Sequence, residues 1–232
     1  MKCFIIRIKD NNISEDLANE LISSLNAHNV EYNLFDAVYG EQIQELWSKE
    51  NLKFYHKQNP NRKLPGVQGC FLSHYSLWKQ CLDDNEPYLI FEHDAVVIRN
   101  IPEQIYSLDH YDVINLDYAS REEPNYEDHL NLDKGFFVKN WKPDADQKKK
   151  KGLISLANKS SIKGLHSYVI FPSGAKKLID RAQDHGTFPA DIHVNSVFVN
   201  LGYTVTSYAR INPKYWINAK VGSINSFTRV KQ

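Results

Sequence analysis

Apolar positions along this chain alternate between short continuous runs and helical stripes. Cys3 to Ile8 is apolar except for Arg7, the pattern of a central strand buried on both faces, with Arg7 near its end. Leu17, Leu21, Ile22 and Leu25 then recur at helical spacing. Ser14 serves as N-cap, and Glu15 and Asp16 lie in a first turn that favours negative charge. Val30 to Asp36 predicts a second strand and Ala37 to Gly40 a turn. Glu41 to Lys49 predicts a short helix with Ile43, Leu46 and Trp47 inward. Strand, helix, strand, helix is the order of a parallel α/β sheet.

The pattern weakens over Lys53 to Pro65, a polar, basic loop, and returns from Gly69 to Leu82. There Phe71, Tyr75, Trp78 and Leu82 form a helical stripe with His74 beside it. Tyr88 to Phe91 is a fully apolar strand. Ile101 to Leu108 reads as a short helix opened by Pro102, and Tyr111 to Leu116 as a strand ending at Asp117. Asp117 to Lys163 loses periodicity and carries Lys148 to Lys151. A stretch of that length in a compact domain reads as a lid, a binding loop or a disordered segment, and the lysines as a solvated turn that a phosphate-rich acceptor could use. Leu165 to Phe171 predicts a strand and Ala175 to Ala182 a helix opened by Pro172. Ile192 to Asn200 predicts a further helix, Tyr203 to Ala209 a late strand, and the chain from Asn212 a tail. With no repeat and no linker, residues 1–232 read as one α/β domain.

The Tyr88 strand stops at Glu92-His93-Asp94, and open α/β sheets place ligands at such strand ends. Side chains two apart in a strand share a face, so Glu92 and Asp94 would point one way and His93 the other. Two carboxylates on one face suit Mg²⁺ or Mn²⁺ better than Zn²⁺. Taken alone, the triplet reads equally as solvated acids at a strand end. His74, as a helical histidine near a core, reads as a hydrogen-bonded structural residue.

Composition narrows the partners. The 232 residues suffice for a substantial core, and 28 basic side chains balance 28 acidic ones. No global field therefore recruits nucleic acid or an anionic membrane. The first apolar run is too short for a signal-peptide core or a membrane span, so a cytoplasmic chain is expected. Three cysteines, Cys3, Cys70 and Cys81, without a CxxC pair argue against a disulfide framework or a zinc site. Cys3 reads as a buried thiol.

Several segments resemble one family. GVQGCFLSHYSLWK is similar to the G-x-x-G-C-x-x-S-H-x-x-x-W segment of family 25 glycosyltransferases, which include lipooligosaccharide glycosyltransferases and collagen galactosyltransferases. YLIFEHDAVV resembles the family's acidic segment, and YDVINLD its following strand. GLHSYVIFPSGAKKLIDRA with FPADIHV resembles its later stretch, and FDAVYG its early turn. The matches keep the family's order over residues 3 to 200.

The resemblance implies a Rossmann-like GT-A nucleotide-diphosphosugar transferase fold. It implies inverting transfer of a hexose from a nucleotide-sugar donor, such as a UDP-sugar, with a divalent metal, Mn²⁺ or Mg²⁺. Asp94 matches the metal ligand, and Glu92 falls near the donor's ribose or the metal's water shell. His93 replaces the family's middle acid. Ser73 and His74 fall near the donor pocket, organising the loop before the triplet, and Gly69 permits close packing. Asp191 is the first choice for the base that deprotonates the acceptor, and as a residue type it serves equally as a helix N-cap. Asp117 reads as a donor or acceptor contact or as a turn residue, His193 as a surface residue rather than a late metal ligand, and His166 as structural. A surface glycan such as lipooligosaccharide is favoured as acceptor over a hydroxylated DNA base or a protein side chain. A non-catalytic sugar-nucleotide-binding protein on the same fold is the alternative from another class.

Overall fold

A computed structural model describes residues 1–54, 65–117, 165–204 and 207–215, and residues 138–140 as backbone. The elements in chain order are β1 (Lys2–Arg7), α1 (Asn12–Ala27), β2 (Asn33–Asp36), α2 (Gln42–Lys49), α3 (Pro65–Asp84), β3 (Tyr88–Glu92) and β4 (Ala95–Val97). A 3-10 turn (Glu103–Ser107), β5 (Val113–Asn115), β6 (Val138–Asn140), β7 (Ser167–Ile170), α4 (Pro172–His185), α5 (Ala190–His193), β8 (Leu201–Thr204) and β9 (Ala209–Ile211) follow. Seven strands form one sheet in the order β2-β1-β3-β7-β5-β8-β6, and β4 pairs with β9 in a second.

The early half follows the expected pattern. β1 lies parallel between β2 and β3, and Cys3 to Ile6 are all buried. Beyond β3 the sheet is mixed: β7 runs antiparallel to both β3 and β5, while β5 and β8 are parallel. Two apolar layers flank the sheet. One joins Phe71, Tyr75 and Trp78 of α3 to Leu178 of α4 and to Ile90 and Tyr168. The other joins Leu21 and Leu25 of α1 to Ile5, Leu89, Phe91 and Val169.

Several boundaries differ from the sequence expectation. Asn11, not Ser14, caps α1, its side chain accepting from the Ser14 N–H at 3.0 Å. The Ser14 hydroxyl instead accepts from the Ile8 N–H at 2.8 Å, tying helix to strand. The expected helix from Ile192 to Asn200 is only the single turn of α5. The Asn195 amide donates to the Ile192 and His193 carbonyls at 2.5 and 3.1 Å, and its oxygen accepts from the Val197 N–H at 3.0 Å. That side chain competes with the backbone and ends the helix. The late strand is likewise two pieces, β8 in the main sheet and β9 against β4. Most of the expected 117–163 lid, with Lys148 to Lys151, and the tail beyond Tyr215 lie outside the described residues.

Close approach of two helices to turns is set by glycines. A Cβ at Gly69 would sit 2.4 Å from the Val38 carbonyl oxygen, and one at Gly174 would sit 2.2 Å from that of Asp112. α3 therefore rests directly on the turn after β2, and α4 on the start of β5.

Candidate active site

β1 and β3 end side by side, and the chain leaves β3 at Glu92 into a turn formed by His93 and Asp94. The His93 N–H still donates to the Ile6 carbonyl at 3.0 Å, and the Glu92 N–H to the His166 carbonyl at 2.9 Å. Strand alternation therefore orients Glu92 but does not extend to Asp94, contrary to the expectation that one strand aligns both acids. Asp94 is fixed from elsewhere: its carbonyl accepts from the Asn212 N–H at 2.7 Å. Asn212 in turn donates its amide to Glu20 Oε2 of α1 at 2.6 Å.

Glu92 is built into a directed hydrogen-bond chain. The Trp78 indole donates to Tyr168 Oη at 2.9 Å, and Tyr168 Oη lies 2.9 Å from His74 Nδ1. An indole can only donate, so the tyrosine turns its own proton to Nδ1 and the histidine carries its proton on Nε2. Nε2 then donates to Glu92 Oε1 at 2.9 Å. Burial alone would raise the Glu92 pKa, but the hydrogen bond from His74 outweighs it and holds the carboxyl below its ordinary value. His74 is thus the hydrogen-bonded residue expected from its helix position, and it orients an acid of the site.

Asp94 has the opposite environment. Burial, reinforced by the charge of Glu92, raises its pKa. Its Oδ1 is buried and has no hydrogen-bond partner among the described residues. A buried carboxylate oxygen left bare is costly unless a cation or donor meets it. The set therefore fits a hard divalent cation: one unsatisfied oxygen on Asp94, beside a second carboxylate held ionised.

Cys70, His74 and Glu92 also place ligand-type atoms within 4.8 Å of one another. Their bonding does not suit a soft metal. Both ring nitrogens of His74 are engaged, and burial, with the charges of Glu92, Asp191 and Asp94, pushes the Cys70 thiol pKa well up. The thiol stays protonated, neither nucleophile nor thiolate ligand.

The remaining candidates fall around this core. Ser73 is fully buried; its hydroxyl accepts from the Val38 N–H at 2.9 Å and donates to the Gly69 carbonyl at 2.7 Å. It clamps the turn after β2 onto α3. Asp191 lies in the first turn of α5, near enough for its charge to act on the Cys70 thiol. The N-cap of that helix is Pro189, so Asp191 is not the cap. Asp117 follows β5; its Oδ2 lies 3.1 Å from His166 Nε2 and its Oδ1 accepts from Ser207 Oγ at 2.8 Å.

Neither expectation for His193 holds. It is fully buried, stacks on Trp78 with ring centroids 5.9 Å apart, and lies 3.0 Å from the Leu178 carbonyl through Nε2. Sequence reasoning missed the closeness of His166 to the acids, and Asn212 altogether. Only the two-residue spacing of His166 from Tyr168 hinted at a shared face, and no pattern marks Asn212.

The chain matches the family described as glycosyltransferase family 25 (LPS biosynthesis protein) over residues 1–194. Among similar proteins, a Haemophilus influenzae protein named as a glycosyltransferase is 29% identical over 171 residues, 73% of this chain and 53% of that one. The lipooligosaccharide biosynthesis protein lic2B of Haemophilus influenzae is 30% identical over 80 residues, 26% of this chain and 30% of that one. Mouse procollagen galactosyltransferase 2 is 31% identical over 98 residues, 40% of this chain and 15% of that one. The chain thus spans at most about half the length of these relatives. A solved structure of an active-site mutant of LgtC superposes with a TM-score of 0.41 at 13% identity, covering 88% of this chain and 72% of that one.

The chain belongs to glycosyltransferase family 25, and the match spans the α3 motif, the strand-end acids and Asp191 alike. Among the described residues no helix is long and apolar enough to cross a membrane.

Proposed function

We propose that the protein is a GT-A-type, metal-dependent, inverting hexosyltransferase that moves a sugar from a nucleotide-sugar donor, a UDP-sugar, to a hydroxyl of a surface glycan. The observation that carries this is the bare, buried Asp94 Oδ1 beside the ionised Glu92. Membership of a family described by LPS biosynthesis supports the glycan acceptor. A cytoplasmic setting is the one this reading calls for.

Asp94 would hold the cation, Mn²⁺ or Mg²⁺, with Glu92 on its water shell or on the donor's ribose. When bound, such a cation neutralises charge on the departing diphosphate. The protein's own groups do the rest. His74 fixes the Glu92 carboxylate through the Trp78–Tyr168 chain. Ser73 acts at a distance, holding the Val38 turn against α3 at the rim of the donor pocket. Asp117 lines the same sheet edge. Asp191 accepts the acceptor hydroxyl's proton as that oxygen attacks the anomeric carbon and the bond to the diphosphate breaks.

Nucleotide release tests this directly. Purified protein is incubated with a panel of UDP- and other nucleotide sugars, each with Mn²⁺, Mg²⁺ or EDTA, and with Asp94→Ala as control. Release with one donor, lost in EDTA and in the variant, is the expected result and names the sugar. Release undiminished by EDTA or by the variant would overturn the metal-dependent mechanism.

A further inference from the structure

One main-chain bond to Asp94 comes from a segment outside the family match, which ends at residue 194. β4 and β9 pair antiparallel, with Ala95 opposite Ile211 and Val97 opposite Ala209. One step further along that register stand Asp94 and Asn212, and the Asn212 N–H donates to the Asp94 carbonyl at 2.7 Å. The β4–β9 ribbon thus reaches the acid that β3 leaves behind.

Asn212 is 3% exposed, and its N–H, its carbonyl and both ends of its amide are all bonded. The side-chain nitrogen donates to Glu20 Oε2 at 2.6 Å, and Oδ1 accepts from the Lys214 N–H at 3.0 Å. The main-chain carbonyl accepts from the Tyr215 N–H at 3.0 Å. A carboxylate only accepts and an N–H only donates, so the two side-chain partners fix which way the amide faces.

Helix α1 grips the same ribbon a second time. Ser24, one turn on from Glu20 and on the same helix face, accepts from the Val97 N–H at 3.0 Å. One face of α1 therefore holds both ends of the ribbon, the Asp94 end through Asn212 and the Val97 end through Ser24. Lys214 also pairs with Glu20, through Oε1, but its side chain is 67% exposed and the pair is screened by solvent. The bond from a buried amide to the Glu20 carboxylate is the stronger tie. A reacting site tolerates little displacement, since a shift of about 1 Å costs about a hundredfold in rate.

We propose that Asn212 is a positioning residue of the active site, joining the main chain of Asp94 to α1 through Glu20. The inference rests on the role of Asp94 in the function proposed above. It makes the segment after β9, beyond the family match, part of what shapes the site.

The test compares Asn212→Ala, Glu20→Ala and Glu20→Gln with wild type in the full chain. Three measurements are made: hydrogen exchange without ligand, urea unfolding, and UDP release from UDP-hexoses with Mn²⁺. In both alanine variants the amides of residues 95–97 and 209–212 should exchange at least about tenfold faster, with β1, β3 and the urea midpoint little changed. Their kcat should fall about 10- to 100-fold. Glu20→Gln, whose amide oxygen still accepts from Asn212, should match wild type in all three measurements. Unchanged exchange at 95–97 in Asn212→Ala, or unchanged kcat, overturns the inference. So does exchange accelerated throughout the sheet, which would make the tie one of general stability, or a Glu20→Gln protein as impaired as Glu20→Ala. Wild type that releases no UDP from any hexose donor instead removes the function on which the inference rests, and the exchange result still judges the tie to Asp94.

Discussion

Replacing Tyr168 with Phe deletes one oxygen from the middle of the chain that orients Glu92. The bonds on either side of it are both 2.9 Å, to Trp78 Nε1 and to His74 Nδ1, in residues at most 1% exposed. The substitution leaves an indole N–H without an acceptor and an imidazole nitrogen without a donor. Each orphaned buried group costs about 1–3 kcal/mol, so the variant should lose roughly 2–5 kcal/mol, with the ring's volume nearly unchanged. For a chain of this length that is a fall in Tm of about 5–15 °C. Urea unfolding of Tyr168→Phe, Trp78→Phe and the double variant gives the coupling, expected at about 1 kcal/mol or more because the two share a bond. Donor turnover should fall with it, since His74 no longer has one fixed tautomer to present to Glu92. A Tyr168→Phe protein within about 0.5 kcal/mol of wild type, or a strictly additive cycle, would refute the directed chain.

Other consequences are as sharp. Burial holds the His193 pKa down to about 4 from an ordinary 6.5, with Arg181 the charge acting on it. The unfolded chain then binds the extra proton between those values. The stability this group contributes is present above about 6.5 and lost as pH falls toward 4, by about 3 kcal/mol in all. Urea midpoints across that range should show the slope, and His193→Phe should flatten it; an unchanged slope speaks against it. Asp94→Ala removes a buried, unsatisfied oxygen, so in EDTA its Tm should equal or exceed that of wild type by a few degrees while turnover disappears. Mn²⁺ should raise the wild-type Tm alone. A marked loss of Tm in EDTA would mean that the carboxylate is structural. Gly69→Ala drives a methyl to 2.4 Å from the Val38 oxygen and should cost about 1–3 kcal/mol by overpacking; a neutral melt would contradict the close approach. Asp191→Asn should lower kcat by about 10²–10⁴-fold with KM little changed; near wild-type kcat would move the base elsewhere.

The half of the fold that periodicity reaches is the half built from local contacts. Leu17, Leu21 and Leu25, the Phe71 to Trp78 stripe and the Tyr88 run each report burial, and each became the expected element. Burial patterns do not name partners. Leu165 to Phe171 reads as a strand whether it runs parallel or antiparallel, and only its antiparallel insertion between β3 and β5 brings His166 to Glu92 and Asp117. His193 looked like a surface histidine because its neighbours in sequence are polar and apolar by turns. Its real surroundings, Phe71, Trp78 and Phe188, come from other elements. Asp191 and Asp94 were legible as residue types through the family motif, but not as positions, since neither is placed by a regular repeat.

That difference divides the site into two kinds of support. Glu92 is held by regular structure: a strand end, a helix one layer above and a chain of bonds through the core. Asp94 stands one step beyond the strand, in a turn whose carbonyl is tied to Asn212 and, through it, to Glu20 of α1. A carboxylate that must meet a cation gains from being left incomplete by its neighbours, because every protein donor that satisfied it would compete with the ion. The backbone of Asp94 is therefore fixed while its Oδ1 is left bare. The Asn212 tie, made after β9, does this without touching the carboxylate. An early acid thus depends on a late segment for its position and on none of the described hydrogen-bond donors for its bare oxygen, which is the condition a binding residue needs.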